Sequence, residues 1–466
     1  MHPLLPLLAL PLALSAPEDP AHWPQWRGPR LDGSSEATGL PTSWSAEENV
    51  VWKAPLPSWS GATPVVWGER VFVLSPSALS AEEQAEAERE REQDGGGRGR
   101  GRGRGRRGSG RAPGGQRLEL HCLSTVDGST LWSAEVGQGN RLYRKGNDAS
   151  PSPVTDGEHV WTLSGGGRLS AFDMQGERVW SRELQEEYGS FGLNWGYASS
   201  PLLHADLLIV EVLHGTHTDE PSYLLALDAA SGEVRWRVER PTDALRESPD
   251  AYTTPLLVER AEETQIVVSG GDYVTGHALD TGEELWRIAG LNPRAASNYR
   301  IVASPVLVGD ILIAPTRVRP MLAIDLGEDG RPDAEDVRWR WDQQGGTDVP
   351  TPASDGERLY LVSDGGIATC LDASSGEAIW GPVRTSVGSV SSSPLLADGK
   401  LYITSEEGVT AVLRAGDEHE ELAVNELDGS YTLSSPIAVG GRLYLRTEQF
   451  LYCLGAAAER PARRDF

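Results

Sequence analysis

The feature that most narrows the fold is repetition. One unit recurs along the chain: a Ser/Thr-Pro or Ser/Thr-x-Pro onset with apolar alternation, a Gly-centred turn, a β-branched run, then Leu-Asp, a Ser/Thr-Gly turn and a tryptophan. The onset prolines are Pro64, Pro153, Pro201, Pro255, Pro305, Pro352, Pro394 and Pro436. Successive onsets lie 42 to 54 residues apart except for a first interval of 89, which becomes ordinary once an insert is subtracted. A period near this length, with three or four short strands per unit, is the pattern of a β-propeller, whose blades bury their faces against one another. Eight onsets predict an all-β, eight-bladed propeller of four-stranded antiparallel blades, although length alone would suggest about three domains.

The cleanest copies run from Leu225-Ala226-Leu227-Asp228 to Gly232 and Trp236, from His277-Ala278-Leu279-Asp280 to Gly282 and Trp286, and from Thr369-Cys370-Leu371-Asp372 to Gly376 and Trp380. Glycine precedes tryptophan by four in each, as it does for Gly128 and Trp132 and for Gly176 and Trp180. The glycine suits a positive-φ turn position between the third and fourth strands. The indole then falls repeatedly in one groove between blades, so Trp132, Trp180, Trp236, Trp286 and Trp380 are expected to be structural. Cys122, Cys370 and Cys453 occupy the slot of Ala226 and Ala278 and read as small core residues. The last unit has only three strands before the chain ends. Asn49–Ala54 precedes the first onset and looks like a fourth strand without a blade. Pairing the two closes the ring and removes two exposed edges.

The expected domain layout is 1–16 signal peptide, 17–48 N-terminal extension, 49–456 propeller and 457–466 C-terminal tail. The leucine-rich run from Met1 to Ala16 is too short to span a bilayer and reads as a secretory signal. That places the protein outside the cytoplasm, secreted or periplasmic in the cell envelope. No cysteine lies near the cut, so no lipid anchor is expected. Acidic residues number 68 against 42 basic, a formal charge of -26, which disfavours a general binder of nucleic acid or anionic membranes. The protein is expected to have no membrane span and to be a monomer.

The Asp-Ala-Ser-Ser-Gly-Glu-x-x-Trp and Asp-Thr-Gly-Glu-x-x-Trp units resemble the pyrroloquinoline-quinone (PQQ) repeat family of propellers. That family includes the eight-bladed quinoprotein alcohol dehydrogenases and the BamB propeller of outer-membrane protein assembly. The resemblance spans roughly Asn49 to Gly455. The Trp23-Pro24-Gln25-Trp26-Arg27-Gly28-Pro29 opening, Gly270-Gly271-Asp272 and Tyr299-Arg300-Ile301-Val302 further resemble secreted bacterial PQQ-like propellers of undefined role. The resemblance implies a BamB-like binding or assembly scaffold that presents channel-face loops to an envelope protein or polysaccharide. The alternative it implies is a PQQ- and calcium-dependent quinoprotein dehydrogenase oxidising alcohols or sugars. For that chemistry Trp195 would stack on the cofactor and Arg300, Arg317 or Arg319 would pair with its carboxylates. However, there is no adjacent cysteine pair, no Cys-x-x-Cys-His and no alignable calcium motif, so no cofactor and no catalytic residue are expected.

Function in such a scaffold resides in loops. Loops from strand four to the next strand one, and from strand two to strand three, open on one face around the channel. The expected ligand or partner site comprises Arg144, Lys145, Asn194, Trp195, Tyr197, Tyr252, Asn298, Tyr299, Arg300, Arg317 and Arg319. His214 and His217, with Asp219 and Glu220, contain zinc- or copper-ligand types but read as a solvated loop. No metal site is expected. The insert, placed at 77–117, combines a Glu/Ala/Arg run with a Gly/Arg tract carrying seven arginines between Arg98 and Arg111. Glycine-rich and poor in apolar residues, it is expected to be a disordered arm able to contact polyanions, and excision of Ser80–Gly115 is expected to leave folding intact.

Overall fold

The computed structural model describes residues 22–85, 89, 113–260, 263–317, 320–343 and 346–455. The leader, the arginines from Arg98 to Arg111, Arg319 and the 457–466 tail lie outside the described residues. Eight antiparallel sheets are present, each built around four strands that follow the repeat. Blade 1 comprises Val65–Trp67, Arg70–Pro76, Arg117–Ser124 and Thr130–Gln138. Blades 2 to 7 occupy 154–183, 202–239, 256–289, 306–341, 353–384 and 395–426. Blade 8 takes Ile437–Val439, Arg442–Arg446 and Phe450–Leu454 from the end of the chain, and Val50–Pro55 from its front. Trp52 lies opposite Cys453 and Ala54 opposite Leu451, so the expected closure is present.

The burial pattern follows position in the blade. Strand Leu207–Val212 is buried at every residue, because both of its faces meet neighbouring blades. Fourth strands alternate, as in Val50–Pro55, because one face looks outward.

The Ser/Thr-Pro onset has a specific cause. Proline holds the preceding residue in extended backbone, which places its hydroxyl against the neighbouring blade. The Thr63 amide donates to Ser152 Oγ, Ser152 to Ser200, Ser200 to Thr254, and Thr254 to Ser304. Ser304 then donates to Thr351, Thr351 to Ser393, Ser393 to Ser435, and Ser435 back to Thr63. Eight bonds of 2.9 to 3.3 Å thus form one closed circle around the channel.

A second belt lies outside it. The indole Nε1 of Trp52 donates to the Thr125 carbonyl in blade 1, Trp132 to Met174 in blade 2, Trp180 to Ala229 in blade 3 and Trp236 to Leu279 in blade 4. Trp339 and Trp380 reach Ala373 and Gly416 in the same way. Each of the first four indoles lies on the turn glycine of the next blade. A Cβ on Gly128 would stand 2.6 Å from Trp52, and one on Gly232 2.7 Å from Trp180. The glycine and tryptophan four apart in sequence therefore serve two different interfaces. Trp286 departs from the pattern: it bonds Gln265 within its own blade, at 2.8 Å. The residue opposite it is Gly276, where a Cβ would come within 2.1 Å of Nε1, so Gly276 and not Ala278 fills the slot of Ala226. Cys122, Cys370 and Cys453 are buried and unbridged.

The N-terminal extension has a role that the repeat did not reveal. His22–Trp23 pairs antiparallel with the innermost strand of blade 1, and Ser34–Ser35 pairs parallel with that of blade 7. Between them the Pro24 carbonyl accepts from Thr155 in blade 2, and Gln25 Oε1 accepts from Leu203 in blade 3. Arg27, 4% exposed, donates to the carbonyls of Pro394 and Pro352 at 2.8 and 2.5 Å. Burial lowers its guanidinium to about 10, against the pull of Asp32. The contacts of His22–Gln25 lie toward the far ends of the first strands, while Arg27 reaches back to the carbonyls at the strand onsets, so residues 22–35 stopper the channel on one side. Trp44 continues the cover, packing against Tyr402 of blade 7, whose outer strand carries no tryptophan.

The insert boundary also needs correction. Ser77 bonds Arg117 across the sheet, and Asn140 Nδ2 donates to the carbonyls of Pro113 and Gly115 at 2.7 and 3.1 Å. Residues 113–117 therefore belong to the ordered body. Extending a deletion of 86–112 through Gly115 should lower the melting temperature measurably, by leaving Asn140 without these acceptors.

Two further outcomes are expected. Removing a circle hydroxyl strands a buried amide, so Thr63→Val at the closure and Thr254→Val in mid-chain should each cost about 1–3 kcal/mol in denaturant unfolding. A distinctly smaller cost at Thr63 would contradict closure. The Glu211 carboxyl, buried between blades 3 and 4, accepts only from Thr253 among the described residues, and burial pushes it up to about 8. Between about 4.5 and about 8 the native state holds a proton that the unfolded state has lost, so stability falls as pH rises, by up to about 1.4 kcal/mol per pH unit. Glu211→Gln should flatten that slope, and its advantage over the parent should grow from pH 5 to pH 8.

Candidate functional site

Strand one of each blade begins at the circle of hydroxyls, so the loops that precede it crowd around the channel axis. Together they line a cavity of about 420 Å³, to which all eight inter-blade loops contribute. Two loops between second and third strands add Arg317 and Asp364. Trp26, carried on the stopper, also lines the cavity and closes it from below. Among the described residues the channel is therefore a cup, with the stopper at its floor and its mouth on the face predicted to carry the site.

Six of the expected residues meet there: Arg144, Lys145, Trp195, Tyr252, Arg300 and Arg317. Trp195 is fixed at both ends. Its Nε1 donates to Glu247 at 2.7 Å, and its backbone amide donates to the Tyr252 hydroxyl at 3.0 Å. The Arg144 guanidinium stands 5.7 Å from the Trp195 ring, within cation–π range. Lys145 reaches across the cup to Glu406 at 2.6 Å and Ser391 at 3.2 Å, joining blades distant in sequence. Arg317 and Arg300 approach one Asp348 oxygen at 3.4 and 3.7 Å. Burial, then the neighbouring Asp364 charge, raises the Asp348 carboxyl above its usual range, against Arg300, Arg317 and Lys145. Four cations thus stand among four carboxylates, Asp348 and Asp364 in the lining and Glu406 and Glu247 beside Lys145 and Arg300.

Arg319 lies outside the described residues, and the other four expected residues do not line the cup. Asn194 secures the loop below Trp195, donating from its backbone to Asp250 and meeting His217 through its side chain. Tyr197 is buried and donates to the Glu211 carbonyl at 2.7 Å, a packing role. Tyr299 is buried at 1% exposure, while Asn298 is exposed outside the cavity. The site list omitted Trp26, Asp348 and Asp364. Asp348 was legible as a loop acid, but Trp26 comes from outside the repeat and carried no positional signal.

The carboxylates in the lining of the cup are Asp348 and Asp364. Asp348 is shared by two guanidiniums, and among the described residues no three His, Cys, Asp or Glu side chains are grouped to hold an ion. His214 is buried, with Nδ1 accepting from Gly192 and Nε2 meeting the Pro221 carbonyl, so it does not converge with His217 on an ion. Among the described residues, no helix is long and apolar enough to cross a membrane.

Comparisons with known proteins agree with this architecture. A family model described as outer membrane protein assembly factor BamB matches residues 36–211, 116–381 and 330–452. The outer membrane protein assembly factor BamB of Vibrio cholerae is 24% identical over 283 residues, 50% of this chain and 65% of that protein, so the match spans less than two thirds of the relative. The structure of BamB from Moraxella catarrhalis superposes with a TM-score of 0.54 at 15% identity, covering 74% of this chain and 95% of that one. The quinohemoprotein alcohol dehydrogenase of Comamonas testosteroni gives 0.60 at 12% identity, covering 95% and 82%, a likeness of fold alone. The family match runs across nearly all of the propeller, and the chain belongs to the family of the outer membrane protein assembly factor BamB.

Proposed function

We propose that this chain is a binding scaffold of the cell envelope, secreted or periplasmic, that works by presenting the open face of its propeller to a protein or polysaccharide partner. The observation that carries this reading is the cup, where loops from all eight blades bring four cations and a clamped tryptophan to one mouth. A stoppered channel passes nothing through, and a cup rimmed by loops from every blade can be read only from above. The assembly role named for the BamB relatives supports a partner within the envelope. In this reading the protein acts as a monomer without PQQ or calcium, and the cup residues bind rather than catalyse. The arginines from Arg98 to Arg111 provide a separate contact for longer polyanionic partners, one that an end group held in the cup does not need.

Photocrosslinking in the native envelope tests the reading. A crosslinker attached through Arg144→Cys, at the cup, should yield a discrete adduct that one attached through Glu158→Cys, on the opposite face, does not. Reduction of a dye by the purified chain with PQQ, calcium and an alcohol would overturn it in favour of dehydrogenase activity.

A further inference from the structure

The hydrogen-bonding character of the cup is lopsided. Guanidiniums and an ammonium supply donors around its wall, and the hydroxyl circle adds more. Among the described residues each circle oxygen accepts one backbone bond and none is recorded as a donor, so these hydroxyl protons remain for a ligand. Six of the eight circle residues line the cavity. The acceptors in the lining side chains that are not already engaged in the circle are chiefly the carboxylates of Asp348 and Asp364.

Two details sharpen the chemistry. Arg317 and Arg300 hold Asp348 at 3.4 and 3.7 Å, longer than the roughly 2.7–2.9 Å of a charge-assisted hydrogen bond, so their N–H groups are not satisfied by it. The other Asp348 oxygen, Oδ1, is buried and has no hydrogen-bond partner among the described residues. The site therefore asks for a carboxylate to face the arginines, many further oxygens to accept from hydroxyls, and a hydroxyl to donate to Asp348.

We infer that the cup takes the uronate end of an acidic saccharide. A sugar acid carries that combination of groups on one small ring, and Trp195, held by Glu247 and Tyr252, gives a fixed aromatic wall beside it. Trp26 blocks passage, so the saccharide enters by its end. A cavity of about 420 Å³ is at the small end of ligand sites, room for an end group and not for a folded segment. An acidic peptide matches less well, because its amide hydrogens need acceptors that the lining scarcely offers. A neutral sugar offers no carboxylate to the guanidinium N–H groups that Asp348 leaves unsatisfied. This inference rests on the open face being the binding face and specifies what that face selects.

The test is calorimetric titration of the full chain with trigalacturonate, maltotriose and a triglutamate peptide. Trigalacturonate should bind one to one, with maltotriose and triglutamate each at least tenfold weaker. Arg300→Gln and Arg317→Gln should each weaken it tenfold or more while melting normally, and Arg317→Lys should recover part of the loss. Replacing the seven arginines from Arg98 to Arg111 by glutamine should leave the affinity within about twofold, which separates the cup from nonspecific attraction to the arm. Equal binding of maltotriose, tighter binding of triglutamate, loss on altering the arm alone, or no binding would each overturn the proposal. If trigalacturonate fails while the Arg144→Cys crosslink persists, only the ligand class is wrong. If both fail, the open face is not the binding face.

Discussion

The circle of eight hydroxyl–amide bonds is the constraint on which the rest of this molecule depends. Each bond joins one blade to the next at the same height, so the first strands are held at one radius and cannot splay. The donor is a backbone amide that has no partner within its own sheet, and the acceptor is a short side chain with little freedom to lose on ordering. Because every loop that precedes a first strand starts from this circle, its position is fixed before its own sequence matters. Trp52, Trp132, Trp180, Trp236 and Trp339 repeat the logic at larger radius, each indole bonded to a carbonyl of the next blade and laid on its turn glycine. Two concentric belts resist rotation of a blade about its own axis better than one.

A closed ring of blades leaves a channel, and the N-terminal extension turns that channel into a cup. Arg27 is the key residue of the stopper, since its buried guanidinium is balanced chiefly by carbonyls that the first strands leave unpaired. Trp26, beside it in sequence, is thereby held at the cavity floor. The consequence is electrostatic as well as steric. Inside a narrow cavity charges are screened less than on the open surface, so Arg144, Lys145, Arg300 and Arg317 and the carboxylates beside them set the local field. Lys145, tied to Glu406, also braces the cup by joining the loop before blade 2 to blade 7.

Much of this was legible in the sequence, for identifiable reasons. The blade number followed from the Ser/Thr-Pro onsets because each onset carries a hydroxyl of the circle. The closure followed from an orphan strand containing Trp52. The open face followed from the order of strands within a blade, and it located Arg144, Lys145, Trp195, Tyr252, Arg300 and Arg317. Other readings missed. Tyr197 and Tyr299 carry polar groups on a loop, yet both turn inward, because loop membership does not determine side-chain direction. Gly276 escaped notice because the Leu-Asp pair sits two residues closer to the turn glycine in blade 4 than in blade 3, although the turns are equally long, and this shifts the apparent alignment onto Ala278. The stopper was invisible because it belongs to no repeat and its partners are backbone groups of five or more blades, a pattern that leaves no periodic trace.

The circle can be examined one bond at a time by native-state hydrogen exchange. If the blades are joined without a seam, the Ser435 amide, which crosses from the end of the chain to its beginning, should exchange as slowly as the Ser200 and Ser304 amides inside it. Exchange of Ser435 orders of magnitude faster than theirs, at the rate of a fraying terminus, would mean that the ring is open where the chain's two ends meet.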